Sequence, residues 1–197
     1  MPIVSRGDTY VPGVSLGEVA EFVGIEFEAT ILPAEQLIEK LDHVLKTAQR
    51  LVRQLPQDRL AQNIPDRDRS MKDLSHHIFK VTEAFLEAMS GQGLLQATLD
   101  APPDGFRSAE DIVSLGEQIR QRFQKWAQDI HKISFTQKVD TYYGEQVIHE
   151  LFERTCWHSA QHVRQLTDML ESFGIPPDQP LTQADLKGLP VPEKVWG

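Results

Sequence analysis

From Pro33 onward the apolar residues recur every three to four positions, the period of an amphipathic helix. Leu37, Leu41, Val44, Ala48, Leu51 and Leu55 form one stripe; Pro33 suits its first helical position and Pro56 ends the run. A second stripe opens at Ser70, with Asp73 three residues on in a capping-box-like pair. It passes through Met71, Leu74, Ile78, Val81, Phe85 and Met89 to Gly91. The third opens at Ser108 with Asp111 as its partner and carries Ile112, Leu115, Ile119, Phe123 and Ile130. The fourth starts near Gly144 and runs through Val147, Leu151, Leu166, Met169 and Phe173, and Gly174 followed by Pro176-Pro177 stops it. Four such stripes predict an all-α four-helix bundle over residues 32–174.

The flanks read differently. In residues 1–31, Tyr10-Val11-Pro12-Gly13 reads as an extended piece ending in a turn. Leu16 to Gly24 reads as a short helix closed by glycine, and Phe27–Ile31 as a strand or plain connection. The run Val11–Phe22 resembles the end of a glutaredoxin-like domain, but the segment lacks that fold's length and its redox cysteine. The resemblance therefore implies a remnant; the other reading is an irregular arm packed on the bundle. Residues 90–107, rich in Gly, Pro and Asp, make a link more like a crossover than a tight hairpin. The tail 175–197 holds five prolines and predicts an irregular Pro-rich strap over the bundle.

Composition narrows the classes of function. A chain of 197 residues that is 40% hydrophobic can bury one core. Its 20 basic and 29 acidic residues give a net charge of −9, with no basic face for phosphate backbones or anionic lipid. Neither a run of 18 apolar residues nor a signal-peptide core is present, so the expectation is a cytoplasmic protein with no nucleic-acid or membrane partner. The single cysteine, Cys156, excludes an internal disulfide and a cysteine-rich zinc knuckle. Any metal must then be held by nitrogen and oxygen.

The fourth stripe contains His158 and His162, one turn apart and about 40° apart around a helix. Seven histidines would give roughly 0.2 such pairs by chance, so the spacing alone says little. Orientation adds more. Leu151 and Met169 fall about 20° from His158 and Thr155 about 60°, which puts both rings on the inward stripe. On the second helix His77 lies about 40° from Val81 and 60° from Leu74, whereas His76 is swung roughly 100° away. Three imidazoles buried together without a common partner would leave ring nitrogens unsatisfied, and a shared cation resolves that. His77, His158 and His162 are accordingly candidate metal ligands, for Zn²⁺ first and for Ni²⁺ or Fe²⁺ as alternatives. His43, His131 and His149 match no ligand role.

These pieces resemble the DinB-like (YfiT-like) superfamily of metal-dependent enzymes. The resemblance rests on Ser70-Met71-Lys72-Asp73-Leu74-Ser75-His76-His77-Ile78 and on Trp157-His158-Ser159-Ala160-Gln161-His162-Val163-Arg164-Gln165-Leu166, and it covers about residues 33–174. Carried over position by position it selects His77, His158 and His162. It also implies an up-down-down-up bundle and a homodimer. Members include transferases of low-molecular-weight thiols and a thiol-dependent isomerase; no motif here separates such groups.

The chemistry expected of three neutral imidazoles around a divalent ion is activation of a bound water or thiol. A coordinated thiol would serve as nucleophile without a protein cysteine, and Cys156 falls about 160° from His158. Arg154 and Lys80 lie within roughly 40–60° of a ligand histidine and could bind the carboxylates of a peptide-like thiol. Gln165, near −20°, is either support for the ligands or packing. The leading expectation is a metal-dependent transferase adding a small thiol, glutathione or a bacterial analogue, to an electrophile. The alternatives are a metal-dependent hydrolase and a non-catalytic, metal-stabilised binding or dimerisation module.

Overall fold

Each of the four apolar stripes folds as a helix, and the capping residues read from the sequence start two of them. A computed structural model describes residues 3–13, 16–25, 31–65 and 67–196. Within them the chain forms two compact units, 1–32 and 33–197. In the first, strands β1 (Ile3–Arg6) and β2 (Thr9–Pro12) pair antiparallel around the two-residue turn Gly7-Asp8. Helix α1 (Leu16–Val23) follows and ends at Gly24, whose φ of 75° suits a residue without Cβ. The helix expected from Leu16 to Gly24 is present, and the extended piece around Tyr10–Gly13 is one strand of a hairpin that the sequence reading did not anticipate. The suggested strand at Phe27–Ile31 falls almost wholly outside the described residues.

In the second unit, α2 (Ala34–Arg53), α3 (Met71–Glu87), α5 (Ala109–Gln128) and α6 (Ile148–Ser172) form the bundle, and the short α4 (Gln96–Leu99) lies in the long link. Ser70 and Ser108 each accept from the backbone N–H three residues on, while the Asp73 and Asp111 carboxylates reach back to the cap N–H groups. At the far end of α6, Gly174 donates to Glu171 (2.9 Å) and Ile175 to Leu170 (2.9 Å). With φ 73° at Gly174 this is a Schellman closure, at the stop read from the sequence. The inward stripe of α2 is buried throughout, from Leu37 and Leu41 to Leu51, and so is Leu55 just past the helix end.

Contacts between helices fix their directions. Cys156 Sγ meets the Leu37 carbonyl at 3.5 Å and Gln54 reaches Pro176, just past α6, at 2.9 Å, so α2 and α6 run parallel. His77 lies against His162 and Phe85 stacks on Phe152, so α3 and α6 are antiparallel. Phe79 faces Gly116 and Phe85 faces Trp126, which makes α3 and α5 parallel. Asp42 pairs with Arg120 and Gln49 with Glu117, which makes α2 and α5 antiparallel. The bundle is therefore up-down-down-up, with α2, α6, α3 and α5 in order around the square. Because α3 and α5 point the same way, the chain must travel back along the bundle between them. Residues 88–107 do this, through a π turn at Ala88–Gln92 and then α4.

Two boundaries differ from the sequence reading. The third helix stops at Gln128, leaving Ile130 in a 3-10 turn. The fourth begins at Ile148, not near Gly144; residues 138–147 form instead an antiparallel hairpin, β3 (Lys138–Thr141) with β4 (Gly144–Val147), turning at Tyr142-Tyr143. Gly144 has φ 111°, outside helical space. The crossover link is pinned to this hairpin, since Leu94 N–H donates to Asp140 and Tyr142 N–H to Leu94. The tail runs back along α2, where Arg50 donates to the Gln179 carbonyl (2.9 Å) and Lys40 to the Asp185 carbonyl (2.7 Å), with α7 (Gln183–Leu186) on the way.

One close approach gives a sharp stability prediction. A Cβ added at Gly116 would lie 2.5 Å from Cε1 of Phe79, a ring with no exposed surface. Alanine favours a helix over glycine by about 1 kcal/mol. Overpacking a tight core contact costs about 1–3 kcal/mol. Gly116→Ala is expected to lower the unfolding free energy despite its better helix propensity, as measured by urea denaturation of the metal-free protein.

Candidate metal centre

Helix α3 delivers His77 and helix α6 delivers His158 and His162 to one point between the two helices. The ring centroids are 5.5 Å (His77–His158), 5.0 Å (His77–His162) and 4.8 Å (His158–His162) apart. One nitrogen from each ring lies within 4.8 Å of the others, and the trio could hold a metal ion. Tetrahedral coordination at about 2.0–2.1 Å brings nitrogens to roughly 3.3 Å from one another. Cys156, on the same helix, is fully buried on another face, donates to Leu37, and has its thiol pKa raised by burial; it takes no part in the cluster.

The hydrogen bonds decide which nitrogens are free. His77 Nδ1 sits 3.0 Å from the Leu99 carbonyl, which can only accept, so Nδ1 carries the proton and Nε2 keeps its lone pair. His162 Nδ1 lies 2.7 Å from Gln165 Oε1 with the same consequence. Its Nε2 is buried and has no hydrogen-bond partner. A buried acceptor left unpaired costs about 1–3 kcal/mol. The donor set thus fits a cation: two Nε2 lone pairs face inward while the Nδ1–H groups are held from behind, as in known histidine metal sites.

Electrostatics agree with neutral rings. Burial, followed by the charge of Arg69, lowers the His77 pKa to about 4, with the Leu99 hydrogen bond opposing. Burial and then His77 lower His162 to about 3, against the opposing Gln165 bond. His158 is pushed well below the ordinary imidazole range, by burial first and then by its two neighbours. No ring need lose a proton to bind a metal near neutral pH.

Two openings reach the cluster. A cavity of about 300 Å³ adjoins His77 and is lined by Arg69, Asp73, His76, Asp100 and Pro102. That volume lies at the small end of ligand pockets. A narrow cleft of about 20 Å³, room for about one water, adjoins His158 under Tyr142, Tyr143 and Arg154. Leu99 borders both.

The remaining residues singled out in the sequence separate here. Arg154 does line the cleft beside His158, its guanidinium over the rings of Tyr143 (5.1 Å) and Trp157 (5.7 Å). Lys80 is placed elsewhere: its ammonium is paired with Glu83, which Arg122 also engages at 2.7 Å, and it lines neither opening. His76 is buried against Phe106 with centroids 5.2 Å apart and borders the larger cavity, not the trio.

Three participants have no counterpart in the sequence reading. The Leu99 carbonyl is a backbone atom and carries no sequence signal. Arg69, just before the Ser70 cap, could have been found from its position at the mouth of the helix bearing His77. Tyr143, whose hydroxyl is buried without a partner and whose pKa burial raises, was hidden by the misplaced start of the fourth helix. No helix among the described residues is long and apolar enough to cross a membrane.

Residues 29–181 match the family model described as the DinB family. No curated protein matches the chain. The match covers most of the sequence, including every helix of the bundle, and the chain belongs to the DinB family.

Proposed function

From that family membership and this donor set we propose that the protein binds one divalent metal ion through His77, His158 and His162. We propose further that it is a metal-dependent transferase using a low-molecular-weight thiol. The carrying observation is the buried, unpartnered Nε2 of His162, set beside two more neutral imidazoles. Zn²⁺ suits an all-imidazole set that leaves a position open, and Ni²⁺ or Fe²⁺ would also be accepted.

When bound, the ion supplies a Lewis acid strong enough to deprotonate a coordinated thiol at neutral pH. The chain's residues supply the rest. The lowered pKa values keep the three rings neutral, with their lone pairs free. The cavity beside His77 has room for a small polar molecule, and Arg69 on its wall offers a fork for a carboxylate. Arg154 and Tyr143 border the narrower cleft beside His158, which has room for about one water. With Cys156 sealed in the core, the chain has no thiol of its own to attack with, which favours an external one.

The test is elemental analysis of protein purified without chelator, followed by calorimetric titration with Zn²⁺, Ni²⁺ and Fe²⁺ and by conjugation assays over a panel of cellular thiols. About one metal per chain and thiol conjugation abolished by chelator are expected. No bound ion and no uptake would overturn the metal reading. Metal-dependent turnover without any thiol would replace the transferase by a hydrolase. Metal-dependent stability with no turnover would leave a binding module.

A further inference from the structure

The tail segment 192–196 is tied to a single ridge of α6, built from residues 161, 164, 165 and 168. Gln161 Nε2 donates to the carbonyls of Lys194 (3.2 Å) and Val195 (2.6 Å). Arg164 donates to those of Pro192 (2.6 Å) and Glu193 (2.9 Å). Trp196 Nε1 donates to Asp168 Oδ2 (2.6 Å). Gln165, nearly fully buried, donates through Nε2 to the Val195 carbonyl (3.2 Å).

That last bond has a directional effect. A side-chain amide carries its donor and acceptor on opposite arms. With the NH₂ committed to Val195, Oε1 must face the other way, where it accepts from His162 Nδ1 at 2.7 Å. The reversed amide would set an oxygen against the Val195 carbonyl oxygen and an NH₂ against His162. The ring would then have to accept at Nδ1 and carry its proton on Nε2, the atom that faces His77 and His158. A protonated Nε2 has no lone pair for a metal.

We infer that the segment 192–196 is a clamp on the metal centre: the Val195 carbonyl orients Gln165, and Gln165 holds His162 in the Nδ1–H form with Nε2 open. Gln165 is a positioning residue in this scheme, and the clamp rests on the proposed metal site for its purpose but not for its detection. Partners of this kind behind histidine ligands are worth about 10–100-fold in metal affinity.

Two measurements on the intact 197-residue chain test it. The first needs no metal: ¹⁵N shifts of the His162 ring in the chelator-treated protein. The wild type is expected to show the Nδ1–H tautomer. Gln165→Leu, and Arg164→Ala combined with Trp196→Ala, are expected to shift it toward a mixture or toward Nε2–H. The second is Co²⁺ titration followed by its visible absorption. Gln165→Leu should weaken binding about 10–100-fold and alter the band pattern, the tail variant should fall between it and wild type, and Gln165→Glu, which keeps an acceptor for Nδ1–H, should recover most of the affinity. An Nε2–H tautomer in the wild type, or a tautomer and Co²⁺ affinity that neither Gln165→Leu nor the tail variant changes, would overturn the clamp while leaving the metal site standing. A wild type showing the Nδ1–H form, displaced in both variants, but taking up no Co²⁺ would support the orienting contact and sink the metal reading instead.

Discussion

His162→Leu is expected to abolish stoichiometric metal binding while leaving the metal-free protein as stable as wild type, or slightly more stable. The two effects have separate causes. His162 would give the ion one of its three protein ligands, so its loss should exceed the 10–100-fold typical of residues that only support a ligand. In the metal-free fold, however, the same ring holds an unpartnered buried nitrogen. Removing that group returns about 1–3 kcal/mol, offset in part by leaving the Gln165 oxygen without its donor. Thermal melts with excess Zn²⁺ and with chelator read both effects at once. Wild type should gain stability from Zn²⁺, by about 2.7 kcal/mol at a hundredfold excess over Kd, and the variant should gain none. A variant that melts far below wild type in chelator would show the ring to be a structural element with its needs already met.

The second large effect is on pH dependence. An unfolded histidine takes up a proton near pH 6.5, whereas in the fold His77 does so at about 4 and His162 at about 3. Between those values the unfolded chain holds more protons, so lowering the pH favours unfolding. The stability that these rings contribute is complete above about pH 6.5, declines progressively below it, and is gone once the pH has fallen through 4 and 3. A tenfold difference in proton affinity is worth about 1.4 kcal/mol, so the two rings together weigh several kcal/mol at the bottom of the window. Urea titrations of the metal-free protein at pH 7.5 and pH 4.5 should show the loss, and His162→Leu should flatten the slope. Metal affinity of the folded protein should change little between pH 7.5 and about 5, because the rings are already unprotonated there.

The helices and the trio were legible because both depend on angular position around a helix, and composition at a 3.6 period records that position directly. Leu151, Thr155 and Met169 share a buried stripe with His162 because core and site face the same way on α6. The capping pairs at Ser70 and Ser108 are local chemistry and carried over unchanged. What the sequence hid lies in the connections. The Lys138–Val147 hairpin is four residues against four, too short for alternation to stand out, and Val147 fits the following helical stripe as well as it fits a strand. Lys80 sits at a reasonable angle to His77, yet its direction is set by Glu83 and by Arg122 on α5, a register that no local pattern contains. The grip on His77 comes from a backbone carbonyl in the crossover link, and that on His162 traces to the last residues of the chain.

The parallel pairing of α2 with α6, and of α3 with α5, bears on how the molecule assembles. In a simple up-and-down bundle each helix meets the next one in sequence, and neighbours zip together through short loops. Here the helices that bear the histidines are separated by α5 and the whole crossover, and the Leu37–Cys156 contact spans 119 positions. Long loop closures come before these contacts can form, and they slow folding relative to bundles of local topology. The three imidazoles therefore converge only when the second and last quarters of the chain have met. An ion arriving earlier finds at most the His158–His162 pair on a forming helix, so tight metal capture becomes a late event that reports a completed fold.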